Sequence, residues 1–444
     1  MTTIDGHCDP RFSQVREVFE RHFAAGQEIG AAFAVFLDGE PVVDLWGGLA
    51  DRRTGRPWEC DTPVLAYSCT KAVAATALLL LAERGLVDVR APVSAYWPEF
   101  AANGKAGVTV EHVLSHRAGL PAIEEQVPVE EFEDLPAIAA RLAGQAPIWE
   151  PGAEHGYHAV SYGFLVGEIV RRVTGVTAGE VVAAEIAGPR GLQMWLGAPP
   201  EVAERAARLS AGRRPDHAAA GAGDGAPAGS GPAGAATGTA DTAAAETAGA
   251  AAAGTAGTTV TATPGAAVTG TAGAAVMGRA GAQGPPGAPY AGGDLMLRAL
   301  GNPPVALLPG GANNPVVLRA GWPAMGLVTT ARALAGFYRD LVAGRILRPA
   351  TLADALRPRS DGIDRVLGAR SAFGLGYMRP AMTFLTPAAG VASAFGHTGL
   401  GGSVGLGDPE RGLALAYTMN RLATELGDGL RAYRLTEAVY AALG

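Results

Sequence analysis

The pattern of apolar positions near the N-terminus predicts a helix followed by a two-stranded hairpin. From about Arg11 to before Gly30, large apolar side chains recur at three- and four-residue spacing, as they do on one face of an amphipathic helix. The next stretch, GAAFAVFLDGEPVVDLWGGLAD, has the composition of two strands joined at Asp38-Gly39, a dipeptide that favours tight hairpin turns. We therefore expect antiparallel pairing close to the start of the chain.

A second helix is predicted directly after the segment AYSCTKAV, residues 66–73. Its sequence, KAVAATALLLLAERGL, is apolar nearly all round and ends at Gly85, which is typical of a buried helix. Residues 108–209 have mostly helical patterns with turn-rich connections. Towards the C-terminus, GGSVGLGD and GLALAYTMN have strand patterns, and a final helix is predicted over about 427–443.

Composition changes abruptly at residues 218–293, which are almost entirely Ala, Gly, Thr and Pro. Such a segment buries too little apolar area to offset the entropy of ordering it, so we predict a disordered insert. Patterned sequence resumes at NNPVVLRAGWPAMG and continues to the end. The insert therefore interrupts a folded region that lies on both sides of it.

Charge and composition argue against several classes of partner. A net charge of -7 gives no broad basic field for a nucleic acid or an anionic membrane. The longest mainly apolar run, residues 72–82, is far shorter than the roughly 20 residues that cross a bilayer. The polar N-terminus lacks the apolar region of a secretory signal, and the three cysteines form no CxxC pair. We expect a cytoplasmic protein with no nucleic-acid or membrane partner and no metal.

The candidate chemistry begins with an S-x-x-K motif made by Ser68 and Lys71. A serine in the first turn of a buried helix lies near free backbone N–H groups, and a lysine three residues later lies one turn along the same face. Desolvation by the apolar helix would lower the pKa of Lys71, so that it could accept a proton near neutral pH. A capping serine followed by a surface lysine would give the same motif, so other segments must decide.

Four segments of the chain resemble motifs of the serine β-lactamase-like superfamily and occur in the order in which that superfamily has them. The resemblance is closest to its class C branch and to the family VIII carboxylesterases. They are Ser68-x-x-Lys71, VTVEHVLSHRAGLP, PGAEHGYHAVSYGFLVGEIVRRVTG and FGHTGLGGSVGLGDPERGLALAYTMN. The resemblance covers nearly the whole chain outside the insert. It implies an α+β, β-lactamase/transpeptidase-like fold, in which an antiparallel sheet flanked by helices adjoins a helical lobe.

The resemblance also implies one catalytic domain over 1–444, with the site between two lobes. The expected divisions are an α/β lobe at 1–65 and 360–444, and a mainly helical lobe at 66–217 and 294–359.

Roles follow from the resemblance position by position. Ser68 matches the nucleophile, Lys71 the lysine that shares proton transfer with it, and Tyr157 the tyrosine that acts as general base and acid. His397 stands where the family has the lysine of its K-T-G element, and it can act as a neutral hydrogen-bonding group or as a cation. We expect these four residues to be catalytic.

The remaining expected site groups belong to the segment after His397. Thr398 and Gly399 complete the K-T-G-like element and are expected to bind substrate. The backbone N–H groups of Ser68 and Leu400 are expected to hold the oxyanion, where one donor typically lowers the activation barrier by about 3 kcal/mol. No metal or organic cofactor is implied.

Position 159 bears on the substrate. The β-lactamases of the family carry Asn two residues after the tyrosine, and this chain has Ala159. Together with the expected cytoplasmic location, this favours hydrolysis of short-acyl carboxylic esters through an acyl-serine. Hydrolysis of β-lactams or D-amino-acid peptides, acyl transfer, and a non-catalytic binding role remain the alternatives. The expected partner is a small-molecule ester or amide, and the oligomeric state stays open.

Three other motifs are expected not to be catalytic. Ser403 lies in a G-x-S-x-G sequence, but a hairpin turn follows it and no histidine comes later in the chain. Its glycines are expected to let the strand approach substrate. His112 and His116 have the spacing of zinc ligands but lack the glutamate of a metalloprotease, so packing within a helix is favoured. Cys69 is expected to be an inert, buried thiol.

Overall fold

The longest of the described strands lie near the two ends of the chain. The structure is a computed structural model that describes residues 2–211, 292–423 and 430–444. Its strands, in chain order, are β1 (Ile4–Cys8), β2 (Gly30–Leu37), β3 (Glu40–Asp51), β4 (Arg56–Pro57), β5 (Val64–Leu65), β6 (Met194–Leu196), β7 (Ser210–Ala211), β8 (Leu327–Thr329), β9 (Ser360–Ile363), β10 (Arg370–Phe373), β11 (Phe395–Thr398), β12 (Val404–Asp408), β13 (Leu413–Met419) and β14 (Arg421–Leu422).

Helices occupy most of the middle of the chain. They are α1 (Ser13–Ala24), α2 (Thr70–Glu83), α3 (Val110–Leu114), α4 (Leu135–Gly144), α5 (Ser161–Thr174), α6 (Ala178–Val181), α7 (Pro200–Arg205), α8 (Gly292–Gly301), α9 (Pro315–Arg319), α10 (Ala331–Val342), α11 (Pro349–Leu356) and α12 (Arg431–Leu443). None of the described helices has the length and apolarity needed to span a membrane.

The main sheet is antiparallel and has seven strands. Its order is β1-β3-β2-β13-β12-β11, with β4 paired to β3. The pairing of β2 with β13, in which Val35 lies opposite Leu415, joins the two ends of the chain. The hairpin predicted at Asp38-Gly39 is present between β2 and β3, and both C-terminal strands form. The α+β fold class expected from the sequence is confirmed, and β11 forms one edge of the sheet.

Helices cover the sheet and form a second layer. Helix α10 packs against β2, β12 and β13, while α1 packs against α12. Helix α10 lies directly on the sheet, where it meets the small residues of β12. A Cβ on Gly405 would lie 2.3 Å from Cε2 of Tyr338. The absence of a side chain at Gly405 therefore lets α10 pack closely on β12.

The buried helix predicted after residue 66 is α2. Every residue from Thr70 to Leu81 is buried, and the helix packs against α5. Because this whole stretch is buried, α2 is held by packing on several sides. The predicted insert, residues 218–293, lies outside the described residues except for the backbone of the first positions of α8. The N-terminal part of the helix predicted from about residue 427 also lies outside them.

Candidate active site

Ser68 lies in the turn between β5 and α2, where the backbone is strained. Tyr67 has a φ of 47°, a left-handed conformation that is uncommon for an aromatic residue. The Thr70 hydroxyl donates a hydrogen bond to the Tyr67 carbonyl and accepts one from the N–H of Leu327 at 2.9 Å. These bonds hold the turn against β8, and the Ser68 side chain remains partly exposed at the start of the buried helix.

Lys71 is fully buried, and its amine has three oxygen neighbours. Nζ lies 3.1 Å from Oγ of Ser68, 2.7 Å from the carbonyl oxygen of Ala159 and 3.1 Å from that of Ala324. Burial lowers the pKa of Lys71 well below its usual value. In a neutral amine, two N–H groups can donate to the two carbonyls, and the lone pair then faces the Ser68 hydroxyl. The amine is therefore placed to accept the Ser68 proton.

Tyr157 lies beside both of these groups. Nζ of Lys71 is 4.7 Å from the centroid of its ring. Burial raises the pKa of the Tyr157 phenol, while a hydrogen bond with Ser68 acts in the opposite direction. The phenol is therefore neutral and can donate its proton. Its ring packs against the rings of His116, at 5.0 Å between centroids, and of Phe373, which is nearly parallel to it.

His397 lies on the edge strand β11 and is buried. Its Nδ1–H donates to the Thr398 carbonyl at 2.6 Å, an assignment that leaves Nε2 as an acceptor. Nε2 has no partner among the described residues, and the ring centroid is 6.0 Å from that of Tyr157. Burial, and secondly the charge of Lys71, lower the pKa of His397 to about 3. His397 is therefore neutral near pH 7, and of the two roles left open it can fill only the uncharged one.

The segment after β11 passes very close to the turn that carries Ser68. A Cβ on Gly399 would lie 2.3 Å from the carbonyl oxygen of Ala66, so only glycine allows this approach. The Gly399 N–H is not available to an oxyanion, because it donates a hydrogen bond to the Ser403 carbonyl at 2.7 Å. Within the described chain, the N–H groups of Ser68 and Leu400 make no hydrogen bond to the protein. They are the two donors that were expected to hold an oxyanion.

A cleft of about 540 Å³ opens onto this cluster. Its polar lining consists of Ser68, Tyr157 and Thr398. The rest is formed by small or apolar residues: Ala159, Met296, Leu300, Val366, Leu367, Met378, Gly399 and Leu400. None of these lining residues is charged. Like many small-molecule sites, the cleft is mainly apolar with a few convergent polar groups.

The neighbours of Tyr157 do not replace the asparagine that the sequence lacks. Ala159 lines the cleft but has no side-chain amide. The His158 ring is bonded on both sides to backbone, since Nδ1–H donates to the Gly156 carbonyl at 2.7 Å and Nε2 accepts from the Leu120 N–H at 3.1 Å. Position 159 contributes instead through its main chain, whose carbonyl holds Lys71.

The side chains of the motifs expected not to be catalytic are buried or form hydrogen bonds within the protein. The Ser403 hydroxyl is buried and donates to the Ala66 carbonyl at 3.1 Å. The Cys69 thiol is buried, which raises its pKa to about 12. His112 accepts a hydrogen bond from the Thr109 N–H at 3.4 Å within the helix cap. Among the described residues, no three His, Cys, Asp or Glu side chains are grouped so that they could hold a metal ion.

Several groups of the site escaped the sequence analysis. The carbonyls of Ala159 and Ala324 hold Lys71, but a backbone carbonyl gives no signal in residue type. The apolar wall from α8, formed by Met296 and Leu300, directly follows the low-complexity segment and lies before the point at which patterned sequence was recognised. Asp364 accepts a hydrogen bond from the Tyr157 N–H at 2.9 Å. A single aspartate outside any motif could not have been selected from the sequence.

Comparison with known proteins identifies this arrangement. A model of the beta-lactamase family matches residues 15–440. The chain belongs to the beta-lactamase family. The resemblance seen in the sequence is thereby confirmed, and the protein is a serine hydrolase of that family.

Members of the beta-lactamase family named as esterases are similar to this chain. Esterase/beta-lactamase LipL of Mycobacterium tuberculosis is 33% identical over 431 residues, which are 95% of this chain and 84% of that protein. A family VIII carboxylesterase has a crystal structure that superposes with a TM-score of 0.76 at 31% identity, covering 99% of this chain and 100% of that one. A penicillin-binding protein homologue from Caulobacter crescentus superposes with a TM-score of 0.74 at 33% identity, with the same coverage.

Proposed function

We propose that the protein hydrolyses short-acyl, uncharged carboxylic esters through an acyl-serine intermediate on Ser68. The observation that carries the proposal is the contact of the buried Lys71 amine with the Ser68 hydroxyl, with two carbonyls holding the other sides of the amine. This arrangement is suited to a Lys71 amine that acts as a general base, and it differs from that of a lysine exposed at the surface. The names of similar proteins, an esterase/beta-lactamase and a family VIII carboxylesterase, support the same chemistry.

In the acylation step, Oγ of Ser68 attacks the ester carbonyl while its proton passes to Nζ of Lys71. The carbonyl oxygen becomes an oxyanion, for which the N–H groups of Ser68 and Leu400 are free to donate. When the C–O bond to the alcohol breaks, the Tyr157 hydroxyl protonates the leaving oxygen and takes the proton from Lys71. Such proton transfers contribute typically about 10²- to 10⁴-fold to the rate.

In the deacylation step, a water molecule attacks the acyl-serine. Its proton passes through Tyr157 or Lys71 to Oγ of Ser68, and the carboxylic acid leaves. The neutral His397 has an acceptor at Nε2 beside Tyr157, where it can hold the phenol or a substrate donor. Thr398 and Gly399 line the same cleft as Ser68, where we expect them to contact the substrate.

The cleft favours a neutral, apolar substrate. The described residues that line it include no cation to pair with a substrate carboxylate, and Ala159 offers no side-chain amide to a substrate amide. An unpaired amide buried here would lose about 1–3 kcal/mol. Side-by-side turnover of p-nitrophenyl acetate and nitrocefin tests this preference. Ester turnover well above nitrocefin turnover supports the proposal, and the reverse favours a β-lactamase.

Acyl transfer to an alcohol uses the same intermediate and remains the second candidate. If acyl transfer occurs, adding a short alcohol to the ester assay should yield a new ester of that alcohol and reduce the amount of free carboxylic acid formed. The cytoplasmic location, the domain divisions and the lack of nucleic-acid or membrane partners stay predictions.

The α8 wall should limit acyl-chain length. Met296 and Leu300 face the cleft, so Leu300→Ala should open space at the far end of a bound acyl chain. A buried methylene contributes about 0.8 kcal/mol. We therefore expect the octanoate-to-acetate ratio of kcat/KM for p-nitrophenyl esters to rise about 10-fold.

Leu297→Ala is the matched control, because Leu297 lies on the same helix, is 37% exposed and does not line the cleft. It should leave the ratio within about twofold of the wild-type value. Equal ratios in the two variants would show that α8 does not contact the acyl chain.

The acid limb of the pH–rate profile should not depend on His397. Burial lowers the pKa of His397 to about 3, so this ring is already neutral at pH 5. The group that must lose a proton for activity is Lys71, so kcat/KM should rise with pH through the lowered pKa of that amine. His397→Gln should reduce kcat/KM but keep the same midpoint, measured between pH 4.5 and 9. A midpoint that moves in His397→Gln would contradict this assignment.

A further inference from the structure

The carboxylate of Asp364 connects two parts of the active site that are far apart in sequence. Asp364 is completely buried, at 0% exposure. Its Oδ1 accepts hydrogen bonds from the N–H groups of Tyr157, Val366 and Leu367, each at 2.9 Å. Its Oδ2 accepts one from the Ser371 hydroxyl at 2.9 Å. One side chain thus binds the main chain of the proposed acid-base residue and the turn that carries two cleft-lining residues.

Further contacts join the same two segments. The Arg365 N–H donates to the His155 carbonyl at 3.1 Å, and the Arg365 and Glu154 side chains form an ion pair. Nε2 of His155 lies 3.0 Å from Oγ of Ser371. Because the Ser371 hydroxyl donates to Asp364, its oxygen is free to accept from His155, which gives a continuous chain of hydrogen bonds.

The ring of Tyr157 is held by the same hairpin. Asp364 to Ala369 form the tip between β9 and β10, and Phe373 of β10 stacks on the Tyr157 ring with 12° between the planes. The main chain of Tyr157 is therefore fixed by Asp364, and its ring by Phe373. Val366 and Leu367, on the same tip, form part of the cleft wall.

We propose that Asp364 is a positioning residue that holds Tyr157 and the Val366–Leu367 wall of the cleft as one unit. Asp364 touches neither the cleft nor the Ser68 hydroxyl, so it acts on the reaction through Tyr157. A buried carboxylate that accepts four hydrogen bonds gives a rigid support, because each bond to a charged acceptor is stronger than one between neutral groups. This inference rests on the proposed role of Tyr157 in proton transfer.

Loss of the carboxylate should lower kcat more than it raises KM for p-nitrophenyl acetate. Asp364→Ala releases all four donors, and a displacement of about 1 Å in a catalytic group can cost about 10²-fold in rate. We expect a fall in kcat of that order. Asp364→Asn keeps one oxygen for the three N–H groups but forces an amide against Ser371, so its loss should be smaller, about 3- to 10-fold. Ser371→Ala, which removes only the bond to Oδ2, should have the smallest effect.

A double-mutant cycle separates positioning from general destabilisation. If Asp364 acts through Tyr157, then Asp364→Ala should change the residual kcat of Tyr157→Phe by less than about threefold. Asp408→Asn is the control: Asp408 is also fully buried, accepts from the Tyr440 hydroxyl at 2.7 Å and lies at the end of β12 away from Thr398. The Asp408→Asn variant should have a lower melting temperature than the wild type, but it should not show the fall in kcat expected for Asp364→Ala.

The outcomes distinguish the two proposals. A fully active Tyr157→Phe would overturn the proposed mechanism and this inference with it. If Tyr157→Phe is inactive but Asp364→Ala is folded and has the wild-type kcat, only the role of Asp364 is overturned. The same conclusion follows if Asp364→Ala lowers kcat by the same factor in the wild-type protein and in Tyr157→Phe. If Asp364→Ala does not fold, Asp364→Asn and Ser371→Ala carry the same test, and wild-type kcat in both would reject the inference.

Discussion

Ser68→Ala should lower the turnover of p-nitrophenyl acetate by about 10⁴- to 10⁶-fold and abolish labelling by a fluorophosphonate. The variant lacks the oxygen that forms the acyl-enzyme, while the oxyanion donors and the cleft are unchanged. The melting temperature should stay close to that of the wild type, because the Ser68 side chain is partly exposed and its loss leaves no cavity in the core. Steady-state kinetics and mass spectrometry of the labelled protein measure both effects.

Ser403→Ala is the matched control, since Ser403 is the serine of the competing G-x-S-x-G sequence. Its hydroxyl is buried and bonded to the Ala66 carbonyl, so the variant should lose some stability but keep the label and part of the activity. Label retained by Ser68→Ala and lost by Ser403→Ala would reverse the assignment of the nucleophile.

Lys71→Ala should lower kcat/KM by about 10²- to 10⁴-fold, the second largest effect that we expect. The variant lacks the base for the Ser68 proton. It also leaves the carbonyls of Ala159 and Ala324 without their shared donor, and each buried, unpaired group costs about 1–3 kcal/mol. A moderate fall in melting temperature should accompany the loss of activity, measured by thermal denaturation beside the ester assay.

Lys71→Arg separates proton transfer from charge. Arginine keeps a cation and several donors, but its pKa above about 12 prevents it from accepting the Ser68 proton near neutral pH. We expect Lys71→Arg to be about as inactive as Lys71→Ala. High activity in Lys71→Arg would mean that the side chain at this position acts only by its charge, and the proton path through Nζ would be wrong.

Local spacing made part of the fold and site predictable. Three-residue spacing at the start of an apolar helix favours side chains about one turn apart, so the contact of Ser68 with Lys71 could be predicted although Ser68 lies in the turn just before α2. The hairpin at Asp38-Gly39 follows in the same way from the turn that these residues favour. The β-lactamase-like fold came from four ordered motifs, which the family match has confirmed.

Other features depended on segments that meet only after folding. The neutrality of His397 could not be read from the sequence, because it results from burial and from the nearby Lys71. The close packing of Tyr338 on Gly405 could not be predicted either, since only the packing of α10 on the sheet decides what lies above this strand.

The sequence by itself determined the fold, which depends on ordered motifs, and it predicted Ser68 and Lys71 as the catalytic pair from their three-residue spacing at the start of a helix. The tertiary structure decided how the site is completed. Two backbone carbonyls orient the Lys71 amine, an apolar wall from α8 limits the cleft, and Asp364 joins Tyr157 to a hairpin about two hundred residues later in the chain. Main-chain groups and long-range contacts carry no signal in residue type, so they appear only when the packed chain brings them together.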